Sequence, residues 1–184
     1  MKCTKRLSAD HEVIRQALHV LQAVSNDVQN AASVADGDIQ SLLNFLREFA
    51  DGSHHVKEQA ILFPALMHAG MPLDGGLLHA MNYEHERGRT LTAAMQDALN
   101  RNRMDDFVTC ADRYIELLAN HIEKEETVLF AAADETLSDE EDERITADFE
   151  HFDAVIFGLQ TRQRLHQTIQ LLASKYLSYT GARC

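Results

Sequence analysis

Two stretches of the chain share one pattern of histidine, lysine and glutamate. His54-His55-Val56-Lys57-Glu58-Gln59-Ala60-Ile61-Leu62-Phe63 returns as His121-Ile122-Glu123-Lys124-Glu125-Glu126-Thr127-Val128-Leu129-Phe130, so His-x-x-Lys-Glu-x-x-x-Leu-Phe occurs twice. On a helix, positions four apart lie one above the other, which aims His54 with Glu58, and His121 with Glu125, each at a common point. An imidazole beside a carboxylate is metal-ligand chemistry, and two such pairs imply two ions. A fainter repeat alternates with the first: Asp10-His11-Glu12-x-x-Arg15 and Glu84-His85-Glu86-x-x-Arg89. The order single His, His/Glu, single His, His/Glu fits two helix pairs related by a pseudo-twofold axis around one shared site. The expected ligand set is therefore His11, His54, Glu58, His85, His121 and Glu125.

Taken singly, a histidine on an apolar stripe is usually a core or boundary residue, and a glutamate is usually a solvated partner of a neighbouring lysine. The duplication decides between these readings. Burying Glu58 and Glu125 as ions costs several kcal/mol each unless a cation faces them, and a bound metal offsets that cost. Lys57 and Lys124 are expected to point outward, and the remaining histidines, His19, His55, His68, His79, His151 and His166, to lie at the surface or behind the ligands. His55 has Gln59 four residues on where His54 has Glu58, which makes His54 the better ligand. Imidazole and carboxylate without thiolate suits Fe, Mn or Zn and excludes a cysteine-type structural zinc site.

The elements that must place these residues are helical, because apolar positions recur at helical spacing throughout and strand signals are scarce. The pattern predicts five helices. The first opens at Ser8 and carries His11, Ile14, Leu18 and Leu21; the second runs from Asp38 to Met67, with a kink at Pro64. The third follows Gly75-Gly76 and aligns Met81, His85 and Met95. The fourth aligns Phe107, Tyr114, His121 and Glu125, and the fifth begins at Ser138, where Ser138-x-x-Glu141 is a capping box, and continues toward Tyr176. The turns divide the intervals between ligands into comparable legs, so all four ligand levels coincide in an antiparallel up-down four-helix bundle. Residues 1–137 then form the bundle. Residues 138–184 form an additional C-terminal helix, whose apolar stripe covers the bundle or meets a second subunit, a homodimer being the expectation.

Composition bounds the rest. The 184 residues carry a formal net charge of −12 with scattered Lys and Arg, which argues against a nucleic-acid or anionic-membrane surface. No apolar run is long enough to span a bilayer, and Cys3, Cys110 and Cys184 form no C-x-x-C, as expected of free thiols in a cytoplasmic protein.

His11 in its Asp-His-Glu context, His54-His55-x-Lys57-Glu58 with Leu62-Phe63-Pro64, Glu84-His85-Glu86, and His121-x-x-Lys124-Glu125 with Leu129-Phe130 resemble the hemerythrin-like, HHE cation-binding family over about residues 7–133. That resemblance implies a four-helix bundle around a non-heme di-iron centre, two Fe ions bridged by the two glutamates, with Zn or Mn as possible substitutes. It implies activities centred on a small oxidant: binding or reduction of O₂, peroxide or NO, redox sensing, iron handling, or protection from nitrosative and peroxide stress. The chain departs from oxygen-carrying members at Arg89, where they have a further histidine, and this speaks against simple O₂ carriage. With four histidines and two bridging glutamates, each ion receives two nitrogens and two oxygens, leaving open positions on both. The alternatives are a metal-dependent sensor or iron-handling module without turnover, and a polar-cored bundle without metal.

Overall fold

The computed structural model describes residues 1–72 and 75–177, and every regular element among them is helical. The described residues form five helical runs. Helix α1 is Lys2–Gln29. Helix α2 fills residues 36–68 as Asp36–Phe45, two stretches of wide i→i+5 turns at Leu46–His55 and Glu58–Leu62, and a last segment Phe63–His68. Helix α3 is Leu77–Asn100. Helix α4 fills residues 104–136 as Met104–Lys124, a wide-turned Glu125–Leu129 and Phe130–Thr136. Helix α5 fills residues 139–176 as Asp139–His151, a wide-turned Phe152–Gly158 and Leu159–Tyr176.

Helix α1 begins six residues before the expected Ser8, for a reason that local patterning does not reveal. The backbone N–H groups of Lys2 and Cys3 donate to Oδ2 and Oδ1 of Asp142, each at 2.9 Å. A carboxylate from α5 thus caps α1 in place of a neighbouring Ser or Asp. The capping box at Ser138 forms as expected, with Glu141 N–H donating to the Ser138 hydroxyl and the Glu141 carboxylate accepting from Ser138 N–H. Pro64 is accommodated because the wide turn precedes it: the Phe63 N–H reaches back to the Glu58 carbonyl, and the proline sits at the start of the final segment, where an amide donor is not needed.

Helix α1 packs against α2 and α4, α3 packs against α2 and α4, and α5 lies over α1 and α2. The apolar interior has two parts. The larger contains Ile14, Leu21, Phe45, Phe49, Met95, Phe107 and Ile122, with Leu165 and Ile169 from α5. The smaller contains Cys3, Leu7, Leu62, Phe63, Leu78, Met81, Leu129 and Phe130, with Ile145 and Phe149 from α5. On each of the first four helices the expected ligand positions lie near where one group gives way to the other. No helix among the described residues is long and apolar enough to cross a membrane. Cys3 is fully buried and Cys110 borders the larger cluster; Cys184 lies outside the described residues.

Candidate metal centre

The wide turns explain how the ligand positions come to face inward. In both copies of the repeat the glutamate opens a five-residue wide turn, Glu58–Leu62 and Glu125–Leu129, closed by the N–H of Phe63 or Phe130 on the glutamate carbonyl. Such insertions are frequent at functional sites because they underwind a helix and bring extra side chains to one face. The two phenylalanines finish the symmetry. Phe130 stacks on His11 at 5.6 Å between centroids, and Phe63 stacks on His85 at 6.1 Å.

All six expected residues are buried and converge. His11 Nε2 lies 3.0 Å from His54 Nε2, and His85 Nε2 lies 3.0 Å from His121 Nε2. Each glutamate spans the two histidine pairs. Glu58 places Oε1 3.4 Å from His54 Nε2 and Oε2 3.4 Å from His85 Nε2. Glu125 places Oε2 3.2 Å from His11 Nε2 and Oε1 3.2 Å from His121 Nε2. His11, His54, Glu58 and Glu125 form one group of ligand atoms within 4.8 Å of one another, and His55, Glu58, His85 and His121 form a second.

The donor set fits metal ions. Imidazole–metal bonds of about 2.1 Å set at right angles put two nitrogens about 3.0 Å apart, the separation seen in both histidine pairs. All four oxygens of Glu58 and Glu125 are buried without a hydrogen-bond partner among the described residues. Four orphaned acceptors in one layer are hard to rationalise without a cation. The protonation balance agrees. Burial, helped by repulsion from Glu125, raises the Glu58 carboxyl above its ordinary range. Burial opposes charge on His121, yet Glu125, Glu84 and Glu58 outweigh it and push its pKa up to about 10, so the layer draws in positive charge. Burial and the neighbouring imidazoles push His55 and His85 down to about 3, which keeps them neutral with a lone pair to offer.

Behind the ligands the repeat continues in the orienting groups. His11 Nδ1–H donates to Glu126 Oε1 and His121 Nδ1–H to Glu84 Oε2, both at 2.9 Å, leaving Nε2 of each facing the centre. Arg15 holds Glu126, and Arg89 holds Asp51, which faces His55 Nδ1 at 3.4 Å. Each repeat lysine binds the acid that precedes the single histidine: Lys57 to Asp10, and Lys124 to Glu84.

Two sequence expectations are corrected here. Lys57 does not point outward; its side chain is 1% exposed, its Nζ lies 2.7 Å from Asp10 and 3.2 Å from Asp153, and Arg162 joins the same cluster at 2.5 Å from Asp10. Helix α5 covers this copy of the repeat, whereas Lys124 in the other copy remains 41% exposed. His55 is not peripheral either. It is buried, stacks on His85 at 3.9 Å, and belongs to the second ligand group. Strict four-residue spacing hid it, because the wide turns of Leu46–His55 bring adjacent positions to one face. His19, His68, His79 and His151 are exposed and His166 is half-buried, as expected.

The family profile of the hemerythrin HHE cation binding domain matches residues 4–133. The chain belongs to that hemerythrin HHE family. The matched span begins in α1 and ends in α4, so it contains every ligand position of both groups and stops before α5. The hemerythrin HHE domain therefore accounts for the His/Glu layer and for cation binding as its chemistry. No curated protein and no solved structure matches the chain.

Proposed function

We propose that this hemerythrin HHE protein holds two iron ions and binds or reduces a small oxidant, O₂, peroxide or NO, at them. His11 and His54 would hold one ion, His85 and His121 the other, and Glu58 and Glu125 would bridge both; Zn or Mn would be substitutes. The observation that carries this reading is the pair of buried glutamates, each with one oxygen toward each histidine pair and none with a hydrogen-bond partner among the described residues. Bound iron would supply reversible one-electron chemistry and open positions for a small ligand. The chain's own residues fix the imidazole tautomers through Glu126 and Glu84, exclude bulk water with two apolar clusters, and keep the protonated Arg15 and Arg89 near the layer.

The finer architecture in this reading is an antiparallel four-helix bundle of α1–α4, residues 1–137, with residues 138–184 as a helical extension, in a cytoplasmic protein. Exposed Val155, Ile156, Leu159 and Leu171 on α5 favour a homodimer through that extension, which sedimentation of the full chain decides. The ligand is a diatomic or a peroxide, with no nucleic-acid or membrane partner. A second reading, a metal-dependent sensor or iron-handling module without turnover, is favoured by one observation: Arg162 directly, and Asp153 through Lys57, tie α5 to Asp10, which lies 3.7 Å from His54 Nδ1. Anaerobic ferrous titration should give two ions per chain, with Mössbauer and optical spectra of a coupled pair on oxidation. A chain that takes up no iron sinks both readings. Stopped-flow mixing with peroxide or NO then separates them by turnover.

A further inference from the structure

We propose that the cleft between α2 and α3, on the solvent side of His55, is a binding site for a small aromatic carboxylate. The site is separate from the ion positions, and the inference does not depend on the metal content of the layer.

The cleft has a volume of about 470 Å³. That is far more than O₂, NO or peroxide fills, and it falls in the range of pockets that take small organic molecules, about 300–1,000 Å³. Its walls follow from the helices. Arg47, Asp51 and His55, four residues apart on the wide-turned Leu46–His55, form one side, and Gly88, Thr92 and Gln96, also four apart on α3, form the other. Tyr114 of α4 closes the floor. Gly88 keeps the slot open. A glycine inside a helix costs about 1 kcal/mol relative to alanine, yet neither its conformation nor its packing demands one. The backbone there is helical, and outside its own helix an added Cβ would meet nothing nearer than Tyr114 Cε2 at 3.7 Å among the described residues. What the missing side chain leaves is a gap above the edge of a buried aromatic ring, where a flat apolar ring can pack edge to face.

Charge selects the other end of the ligand. Arg89 and Asp51 hold each other at 2.5 Å, and Asp97, which also lines the cleft, is held by Arg101 at 2.8 Å and Arg103 at 2.7 Å. Arg47 is different. Its Nη2 donates to the Asn44 amide oxygen at 2.7 Å, and it has no carboxylate partner among the described residues. The lining therefore offers one uncompensated positive charge on a planar, forked donor, which suits a monoanionic carboxylate and would leave a phosphate dianion half compensated. The pairing of Gln40 with Gln96 and of Asp51 with Arg89 puts Arg47 level with Thr92, one turn along α3 from Gly88. A carboxylate on Arg47 thus leaves its ring over Gly88 and Tyr114. The far edge of that ring approaches His55, which stacks on His85 at 3.9 Å, so the bound molecule ends one imidazole short of the His/Glu layer.

The test uses the full chain, once metal-free and once zinc-loaded, with benzoate as the probe. Isothermal titration should show saturable binding with a Kd of about 1 mM or tighter in both forms. Benzamide, which keeps the ring and loses the charge, and acetate, which keeps the charge and loses the ring, should each bind at least about tenfold more weakly. In ¹⁵N-edited NMR spectra benzoate should shift the amides of Gly88, Thr92 and Ala93. Arg47→Gln should weaken benzoate at least about tenfold and leave benzamide unchanged, whereas Arg6→Gln, the same loss of charge at the exposed pair with Glu150, should alter neither. Gly88→Leu should fill the slot and abolish binding of both. Absence of saturable binding, acetate or inorganic phosphate binding as tightly as benzoate, amide shifts centred on the His/Glu layer, or an Arg47→Gln chain that binds benzoate like the wild type would each overturn the proposal. If Gly88→Leu does not fold, Arg47→Gln, at an exposed position, decides alone. A chain that takes up no zinc or iron but binds benzoate in this way fails the two-ion reading and keeps this one.

Discussion

The two repeat lysines occupy the same place in the same motif, yet one lies under α5 and the other does not, which makes them a matched pair for measurement. Lys57 Nζ is 2.7 Å from Asp10 and 3.2 Å from Asp153, with its side chain 1% exposed. Lys124 binds Glu84 with its side chain 41% exposed. Removing one partner of a buried ion pair costs about 3–5 kcal/mol, because the other charge is left uncompensated. Arg162 remains on Asp10 at 2.5 Å and on Asp153 at 3.7 Å, so it neutralises part of what Lys57→Met leaves behind. That brings the expected loss to about 2–4 kcal/mol. Lys124→Met removes a solvent-screened pair and should cost about 0–1 kcal/mol. Urea unfolding followed by far-UV circular dichroism, with chelator present so that metal linkage does not enter, measures both. In a domain of this size the Lys57 loss corresponds to a melting shift of roughly 4–16 °C. Adding Asp153→Leu to Lys57→Met should cost less than the sum of the single changes, since the second removes a stranded charge. Equal losses for the two lysines, or a Lys57→Met loss below about 1 kcal/mol, would refute the reasoning that burial under α5 makes this charge cluster structural.

Asp142→Asn should cost about 1–2 kcal/mol by weakening the cap that α5 places on α1, as read by denaturant midpoint. The Asp142 carboxyl is held below its ordinary value, against its burial, by hydrogen bonds from Cys3 and the Lys2 and Cys3 N–H groups. Its folded value is thus the depressed one, so the gap between wild type and Asp142→Asn should be full above about pH 4 and shrink as pH falls below it; a gap that widens in acid contradicts the cap. Gly88→Ala should stabilise by about 0.5–1 kcal/mol, because the new methyl meets the Tyr114 ring at an ordinary 3.7 Å. Gly52→Ala should not, since its methyl would press the Arg47 carbonyl at 3.2 Å within the wide-turned stretch; calorimetry that finds the two substitutions equivalent removes this distinction. Chelating bound metal should lower unfolding free energy by at least about 3 kcal/mol when the ion is supplied at a hundred times its dissociation constant, and an unchanged midpoint would rule out a folded-state site.

How much of this was legible in the chain depends on the kind of signal. His54, Glu58, His121 and Glu125 could be read because a duplicated pattern is improbable by chance, and His11 and His85 because they recur at matching places between the copies. Ser138 could be read because a capping box is local. The start of α1 could not, since Asp142 lies 140 residues from Lys2. Lys57 was misplaced because its burial depends on α5 folding back over α2, a tertiary event that leaves no mark on the spacing of the motif. The burial of His55 beside the layer could not be read from a 3.6-residue period, because that period does not hold in wide turns.

The position of the His/Glu layer between two unequal apolar clusters also bears on how an ion gets in. A polar slab full of unsatisfied acceptors couples its neighbours poorly, so the apo chain is expected to behave as two cooperative units rather than one. The unit around Leu7, Leu62, Met81 and Leu129 is the smaller of the two, and it holds the start of α1 against the later parts of α2 and α4. It should open on its own at a lower free energy than the whole molecule, exposing the carboxylates from that end while the larger unit keeps the histidines nearly in register. Metal uptake then proceeds at the rate of a local opening, and the bound ions act as a latch that fuses the two units. Amide exchange around Leu62 and Leu129 should slow on loading far more than around Phe45 and Phe107.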